Sequence, residues 1–358
     1  MSTVRYRAAV IGCGKMSRGH ANAYAESPNV DLIAGADVFE SARTAFATEY
    51  NLTAMYEDAT EMLEKEKPDF VSICTWPPLH ADLTELAFSK GVKVVWCEKP
   101  TAVDLQDVDR MVASASAANA LLIINHQRRY GEAYMEARRL IDTGAIGKLT
   151  QITGICGGDT LTDGTHLIDM VRNLNSDNPV SSVFGAIEMS PMGSINPDGM
   201  GTVEFNQTRK RYGHHIESGT LALLRFENGV RGHLEIGNLA RGGYQRFIVD
   251  GTEGRIELSG DQPFDDGSSL RLHRFGEASK AYPPMTVQNA MHGVLADFIK
   301  SVETGYVHPM RGESARNVHE IISAIYESAR RRQIVTLPAD IPLSPLEEMI
   351  ATGEIPLN

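Results

Sequence analysis

No run among the 358 residues stays apolar for the roughly 18 positions that a membrane span needs, so no transmembrane anchor is expected. Cysteine is scarce. The four present, Cys13, Cys74, Cys97 and Cys156, show neither C-x-x-C nor Cys/His spacing. That pattern excludes a disulfide framework and a zinc site, and leaves reduced thiols in apolar runs as the expectation. Positive charge is also in deficit, with 34 Lys and Arg against 46 Asp and Glu and a net charge of −12. A nucleic-acid partner wants a basic footprint that this balance does not supply. The one basic cluster, Arg330-Arg331-Arg332, ends a predicted helix, where the helix dipole favours cations. Internal repeats and low-complexity tracts are lacking. The first strand starts so near Met1 that a signal peptide has no room, which makes the cytoplasm the expected compartment.

What the chain does have is enough material for two cores. Its length exceeds the roughly 250–300 residues at which single cores stop growing, and 42% hydrophobic with 22% charged residues is ordinary for a globular protein. Apolar runs at 8–11, 32–36, 70–74, 92–97 and 121–124 are continuous, as in parallel strands covered on both faces. Helical periodicity fills the gaps at 41–50, 60–65, 81–90 and 105–118, and a short strand near 53–56 completes a βαβαβ half. This predicts a doubly wound α/β domain over 1–127. Beyond it, a helix over 132–143 ends at Gly144, and extended segments then dominate from 149 to 274. Asn228-Gly229 between two strand-like runs predicts a hairpin. Helices follow Gly164 and cover 291–304 and 315–331, while 190–213 reads as a long loop. The expectation is a second, α+β domain over 128–340 with a large open, mostly antiparallel sheet, then a tail over 341–358.

Chemistry gathers at the carboxyl ends of the first domain's strands. Gly12-Cys13-Gly14-Lys15-Met16-Ser17 follows the first strand and opens a helix. Gly12 permits the tight turn, Gly14 lets backbone approach a pyrophosphate, and Ser17 stands where a third glycine is usual. Asp37 closes the second strand where a ribose-binding acid belongs, and a carboxylate there favours NAD over NADP; its other reading is a cap for the helix at Ser41. Arg43 reads as part of a solvated helix face. Glu98-Lys99-Pro100 ends the fifth strand, where a lysine can stabilise a developing alkoxide or simply join a surface salt bridge.

These features together resemble the glucose–fructose oxidoreductase/inositol dehydrogenase family, Gfo/Idh/MocA. Val94-Val95-Trp96-Cys97-Glu98-Lys99-Pro100 is similar to its Glu-Lys-Pro signature. Thr75-Trp76-Pro77-Pro78-Leu79-His80 resembles its T-P-N-x-x-H segment, with Trp76 in the proline's place. Asn125-His126-Gln127-Arg128-Arg129-Tyr130 resembles its linker, and Gly157-Gly158 with Gly164-Thr165-His166-Leu167-Ile168-Asp169 its G-G…D-x-G-x-H-x-x-D segment. Val249-Asp250-Gly251-Thr252-Glu253-Gly254 resembles a turn of its sheet, and the likeness runs from about residue 6 to 338.

The resemblance implies a Rossmann domain with an open-sheet partner domain, and NAD(P)-linked oxidation or reduction of sugars, polyols or their derivatives. Carried over position by position, it implies cofactor contacts from Gly12, Cys13, Gly14, Lys15, Met16 and Asp37, from Thr75, Trp76 and His80, and from Glu98, Lys99 and Gln127. Lys99 would bind the substrate hydroxyl and His166 would act as acid–base residue, with Arg128, Thr162 and Asp163 on the substrate side. The Lys99–Pro100 peptide is often cis in such enzymes. One departure stands out: the family's acid lies four residues before the histidine, where this chain has Thr162, and Asp163 lies three before. Asp163 therefore binds substrate or caps the helix, or Asp169 supports His166 instead. His214 and His215 either reach substrate or are solvated. The expected mechanism is oxidation of a secondary alcohol, with His166 taking the proton, Lys99 stabilising the alkoxide and hydride passing to NAD. Two alternatives are a glycoside-cleaving enzyme that uses bound NAD transiently and a non-catalytic NAD-binding redox sensor. A homodimer or homotetramer built on the outer face of the second sheet is expected, because helices cover only one side of such a sheet.

Overall fold

The computed structural model describes residues 5–189, 210–237, 245–260, 263–287 and 289–355. Two compact units divide the chain. One takes Met1–Ala102, Gln106–Gln127 and Met291–Arg316, and the other Val103–Leu105, Arg128–Ala290 and Asn317–Asn358.

In the first unit, β1 (Tyr6–Ile11), β2 (Val30–Ala36), β3 (Ala54–Tyr56), β4 (Phe70–Ile73), β5 (Val94–Cys97) and β6 (Leu121–Ile124) alternate with α1 (Ser17–Glu26), α2 (Glu40–Tyr50), α3 (Ala59–Glu66), α4 (His80–Ser89) and α5 (Leu105–Ala117). The strands pair in parallel in the order β3-β2-β1-β4-β5-β6. Every residue of β4 and β5 is buried, which is why those runs are apolar without alternation. Strand order reverses between β1 and β4, so the crevice beyond their carboxyl ends is where a doubly wound sheet takes its ligand.

The second unit follows with α6 (Glu132–Asp142), β7 (Leu149–Cys156), α7 (Gly164–Leu174) and β8 (Val180–Glu188). Next come β9 (Lys210–Arg211), β10 (His214–His215), β11 (Gly219–Phe226), β12 (Arg231–Gly237), β13 (Gln245–Gly251), β14 (Gly254–Ser259), β15 (Leu270–Arg274) and β16 (Lys280–Tyr282). The chain ends in α8 (Ala290–Thr304), α9 (Gly312–Arg331), β17 (Val335–Thr336) and α10 (Pro345–Ala351). A nine-stranded sheet runs β16-β15-β14-β13-β7-β12-β11-β8-β17, antiparallel except where β7 and β12 pair in parallel. The Asn228-Gly229 hairpin joins β11 to β12, with Gly229 at φ 85°. From Thr220 onward β11 alternates strictly: Ala222, Leu224 and Phe226 are buried, while Leu221 and Leu223 lie 53% and 51% exposed.

Two expectations need correction. The segment from Met291 to Arg316, placed in the second domain by sequence, belongs to the first unit. Phe298 of α8 packs its ring edge-on against Phe70 and Trp96, at 5.1 and 5.6 Å, because the Rossmann sheet needs a helical cover on that face. The stretch after 340 is not a loose tail, since Ser344 caps α10 by accepting from the Glu347 N–H, and Leu346 and Met349 are buried. Of the long loop expected over 190–213, residues 190–209 lie outside the described residues, and Lys210–Arg211 form β9, which pairs with β10 just beyond.

Candidate active site

The turn between β1 and α1 is fixed by one steric fact. Gly12 holds φ 87°, and a Cβ there would sit 2.8 Å from the Cys74 carbonyl carbon, so no other residue fits without moving β4. Gly14 is the opposite case: a Cβ would meet nothing within 4 Å, leaving open space against the backbone. Ser17 is fully buried and donates to the Gly14 carbonyl at 2.6 Å, so the small side chain in the third glycine's place closes the helix onto the turn. Helix α1 has neither a side-chain cap nor an acidic residue in its first turn, and its leading N–H groups keep their positive field for an anion. Lys15 and Met16 are exposed on this turn.

Asp37 is held at both oxygens. It accepts from the Cys13 N–H at 2.8 Å and from the Phe39 N–H at 2.9 Å, so it is an anchor between β1 and β2 and not a cap for α2, whose N-cap residue is Phe39. Burial, with the Asp37 charge beside it, pushes the Cys13 thiol up to about 12 and keeps it neutral. Arg43, expected on a solvated face, instead donates to the Asp37 carbonyl at 2.7 Å and has an 18% exposed side chain.

At the end of β5 the Lys99–Pro100 peptide is cis and Lys99 is half-buried. Glu98, grouped with the cofactor contacts by resemblance, turns its carboxylate inward: Oε1 accepts from His20 at 3.0 Å and from Asn125 at 2.7 Å, and Oε2 from the Lys99 N–H at 3.1 Å. His80 is likewise interior. Its Nδ1 faces the carbonyls of Pro100 and Thr101, and its Nε2 that of Thr75, each at 3.1 Å. Burial pulls its pKa down against those hydrogen bonds. It ties the Thr75 turn to the Lys99 turn. Thr75 Oγ1 and Gln127 Oε1 are buried with no hydrogen-bond partner. A buried polar atom without a partner costs about 1–3 kcal/mol, so both await a ligand group. Together with the Gly14 cradle and the open α1 terminus, they fit a dinucleotide. Gly12 to Met16, Asp37, Thr75, Trp76, Lys99 and Gln127 are the residues that would hold it.

The second unit carries a buried segment rich in polar residues. Every residue from Asp159 to Arg172 is buried, including Thr162, Asp163, His166 and Asp169. Helix α7 starts at Gly164 with Asp163 in the N-cap position, but the Asp163 side chain makes no cap bond and instead pairs with Arg211. Arg211 also donates to Asp159 at 2.9 Å. Gly158, at φ 83°, leaves the space that the Asp163 carboxylate fills, which gives the second glycine of the Gly157-Gly158 pair its physical reason. Burial works to raise Asp159, yet Arg211, His214 and the Thr162 N–H outweigh it and hold the acid below the usual range. Glu217 sits deeper, accepting from Thr160 and from the Tyr326 hydroxyl at 2.8 Å; burial and the Asp159 charge push its carboxyl up.

Arg129 takes both oxygens of Asp169, at 2.7 and 2.8 Å, and grips Asp177 as well. His214 is buried with Nε2 3.2 Å from Thr162 Oγ1, and His215 is tied to Glu347 through its backbone N–H and Nδ1. His214 is thus interior, and His215 is partly exposed but paired. Arg128 donates to Gln245 at 3.2 Å. Sequence reasoning missed His20, Asp159, Arg211 and Glu217. For His20 a signal existed, a polar residue on the apolar face of α1 one turn beyond Ser17. For Arg211, at the edge of a loop without periodicity, there was none. Among the described residues, no cluster of His, Cys, Asp and Glu could hold a metal, and no helix is long and apolar enough to cross a membrane.

Comparison with known proteins agrees with this layout. Residues 6–126 match the NAD-binding Rossmann fold of the Gfo/Idh/MocA oxidoreductase family, and 150–337 match its C-terminal alpha/beta domain. D-apiose dehydrogenase of Paraburkholderia graminis is 25% identical across 98% of this chain and 95% of its own length. Myo-inositol 2-dehydrogenase of Thermotoga maritima is 25% identical across 92% and 98%. Among solved structures, an Agrobacterium radiobacter oxidoreductase in complex with NAD+, L-tartaric acid and magnesium superposes with a TM-score of 0.77 at 20% identity, covering 93% of this chain and 98% of that one.

Proposed function

This chain belongs to the Gfo/Idh/MocA oxidoreductase family, and from that premise we propose that it oxidises or reduces a secondary alcohol of a sugar, polyol or sugar derivative with NAD. The observation that carries the reading is the half-buried Lys99 at the carboxyl end of β5, beside a strand order reversal and a Gly12–Gly14 turn shaped for a pyrophosphate. Bound NAD supplies the hydride acceptor or donor. Lys99 donates a hydrogen bond to the substrate hydroxyl oxygen and stabilises it as charge develops. His166, in the first turn of α7, exchanges the hydroxyl proton, and Asp163, Thr162 and Arg128 bind substrate. The apiose and inositol relatives are named as dehydrogenases of a sugar and a polyol, which favours this class and gives no support to the glycoside-cleaving or sensor readings.

Asp37 sets the cofactor preference. Its anchored carboxylate favours a ribose hydroxyl and opposes a 2′-phosphate, so NAD is used at least about tenfold better than NADP. The test is NADH formation by the purified protein over a panel of free sugars, polyols and their lactone or acid derivatives. Turnover of at least one with that preference supports the proposal. No turnover across the panel, or equal use of NADP, speaks against it. Four free cysteines fit a reducing, cytoplasmic setting. The outward Phe184, Leu221 and Leu223, 42–53% exposed on neighbouring strands, favour a homodimer or homotetramer through that sheet face.

A further inference from the structure

Beneath Lys99 lies a buried polar chain that the proton and hydride steps do not use. It runs from Tyr24 through Ser72 and His20 to Glu98. The Tyr24 hydroxyl lies 2.8 Å from Ser72 Oγ, Ser72 Oγ lies 2.9 Å from His20 Nδ1, and His20 Nε2 lies 3.0 Å from Glu98 Oε1. Tyr24, Ser72 and His20 are fully buried, and Glu98 is 4% exposed. The His20 ring packs against Trp96 at a tilt of 45°, with centroids 4.0 Å apart. Trp96 Nε1 can only donate, so Asn125 Oδ1 accepts from it at 3.1 Å and the Asn125 amide N–H is left pointing at Glu98.

Glu98 is thus an interior carboxylate met by three donors, His20, Asn125 and the Lys99 backbone N–H. Burial alone would push its proton affinity up. The hydrogen bond and charge of His20, the Lys99 cation and the Asn125 amide overcome that, and the carboxyl lies below the ordinary glutamate value. Since an ionised carboxylate only accepts, His20 Nε2 carries the proton whichever state Nδ1 is in.

We infer that His20 is a positioning residue for the reaction: through Glu98 it fixes a buried anion beside Lys99 and keeps the Lys99 amine in its charged, hydrogen-donating form. The attraction is mutual, so an anion stabilised by the lysine's charge stabilises that charge in return. The other titratable groups that sense Glu98 do not compete. From the end of β4 and from β5, the Cys74 and Cys97 thiols are pushed well up, by burial first and by Glu98 in addition, and stay neutral. From α4, His80 is pulled down by burial, with its nitrogens facing backbone carbonyls. A neutral amine could still fill the space at the end of β5. It would donate more weakly to a developing alkoxide, and charge-assisted hydrogen bonds are about twice as strong as neutral ones.

The inference rests on the catalytic reading of Lys99, so its test reads the amine directly and not through turnover. The full-length protein is labelled with acetic anhydride across a pH series, and modification of Lys99 is quantified by peptide mass spectrometry, with the exposed Lys148 as internal reference. His20→Phe keeps a ring on Trp96 but cannot donate, and Glu98→Gln removes the anion with little change of shape. In both, the pH of half-labelling at Lys99 should fall by about one unit or more while that of Lys148 stays put. His20→Gln restores an N–H toward Glu98 and should recover at least half of the shift. If His20→Phe fails to fold, Glu98→Gln and His20→Gln carry the test. An unchanged half-labelling pH at Lys99 in folded Glu98→Gln overturns the inference, even if Lys99 proves essential for turnover. A normally active Lys99→Ala variant would instead sink the catalytic reading and leave the labelling result standing.

Discussion

Asp163, 4% exposed and paired with a guanidinium that Asp159 also holds, ties charge balance to the shape of the α7 entrance. Read as a cap, it would tolerate Asn at little cost, since Asn caps about as well. The structure changes that expectation, because its side chain makes no cap bond and its negative charge offsets Arg211. Asp163→Asn should therefore lower stability by about 1–3 kcal/mol, the scale for weakening a buried charged hydrogen bond. As a substrate-side acid it should also cut kcat/KM by tenfold or more. Thermal melts and steady-state kinetics on the same preparation separate the two effects. Loss of stability with kcat/KM intact would leave Asp163 a purely structural partner of Arg211. Thr162, in the place of the family's acid, meets His214 at 3.2 Å, and this pair is where the departure from the family pattern becomes physical.

The seam between α1 and β5 should show itself in acid. Glu98 is held below the ordinary glutamate value of 4.5, so its contribution to stability is complete above that pH. As pH falls through the lower folded-state value, the native state loses that advantage. Melting temperature followed from pH 6 down to about pH 3 should therefore fall more steeply for the parent than for Glu98→Gln. Equal slopes would mean that the carboxyl is not held low. Elements of this kind were legible in the sequence to very different degrees. β4 and β5 could be read because strands buried on both faces are written as unbroken apolar runs, and the Gly12 turn because the chain has few ways to bend that tightly. The covering role of α8 could not be read, since an amphipathic stripe does not say which sheet it meets. α10 was passed over because a short helix with only Pro345, Leu346 and Met349 buried carries little periodicity. In the site, Lys99 and His166 stood out by motif, whereas Arg211 and Glu217 became partners of the α7 segment only through long-range pairing.

At the scale of the whole molecule, the nine-stranded sheet has helices on one face and outward Phe184, Leu221 and Leu223 on the other. A dimer or tetramer that buries this face is expected, and light scattering at micromolar concentration should give two or four times 39.1 kDa. Leu223→Glu should shift the distribution toward monomer, and a parent that is already monomeric would remove the idea. The net charge of −12 would favour the solubility of such an assembly and leaves recognition to local chemistry. On the proposed function, Lys99 at the end of β5 supplies the electrostatic help for hydride exchange at a secondary alcohol. The most direct measurement compares Lys99→Ala with the parent on the best substrate of the panel, with NAD affinity determined by titration on the same samples. The account predicts NAD binding within about twofold of the parent and kcat reduced by roughly 10²-fold or more, the scale for losing one preorganised group. Parent-like kcat with NAD binding intact would contradict it.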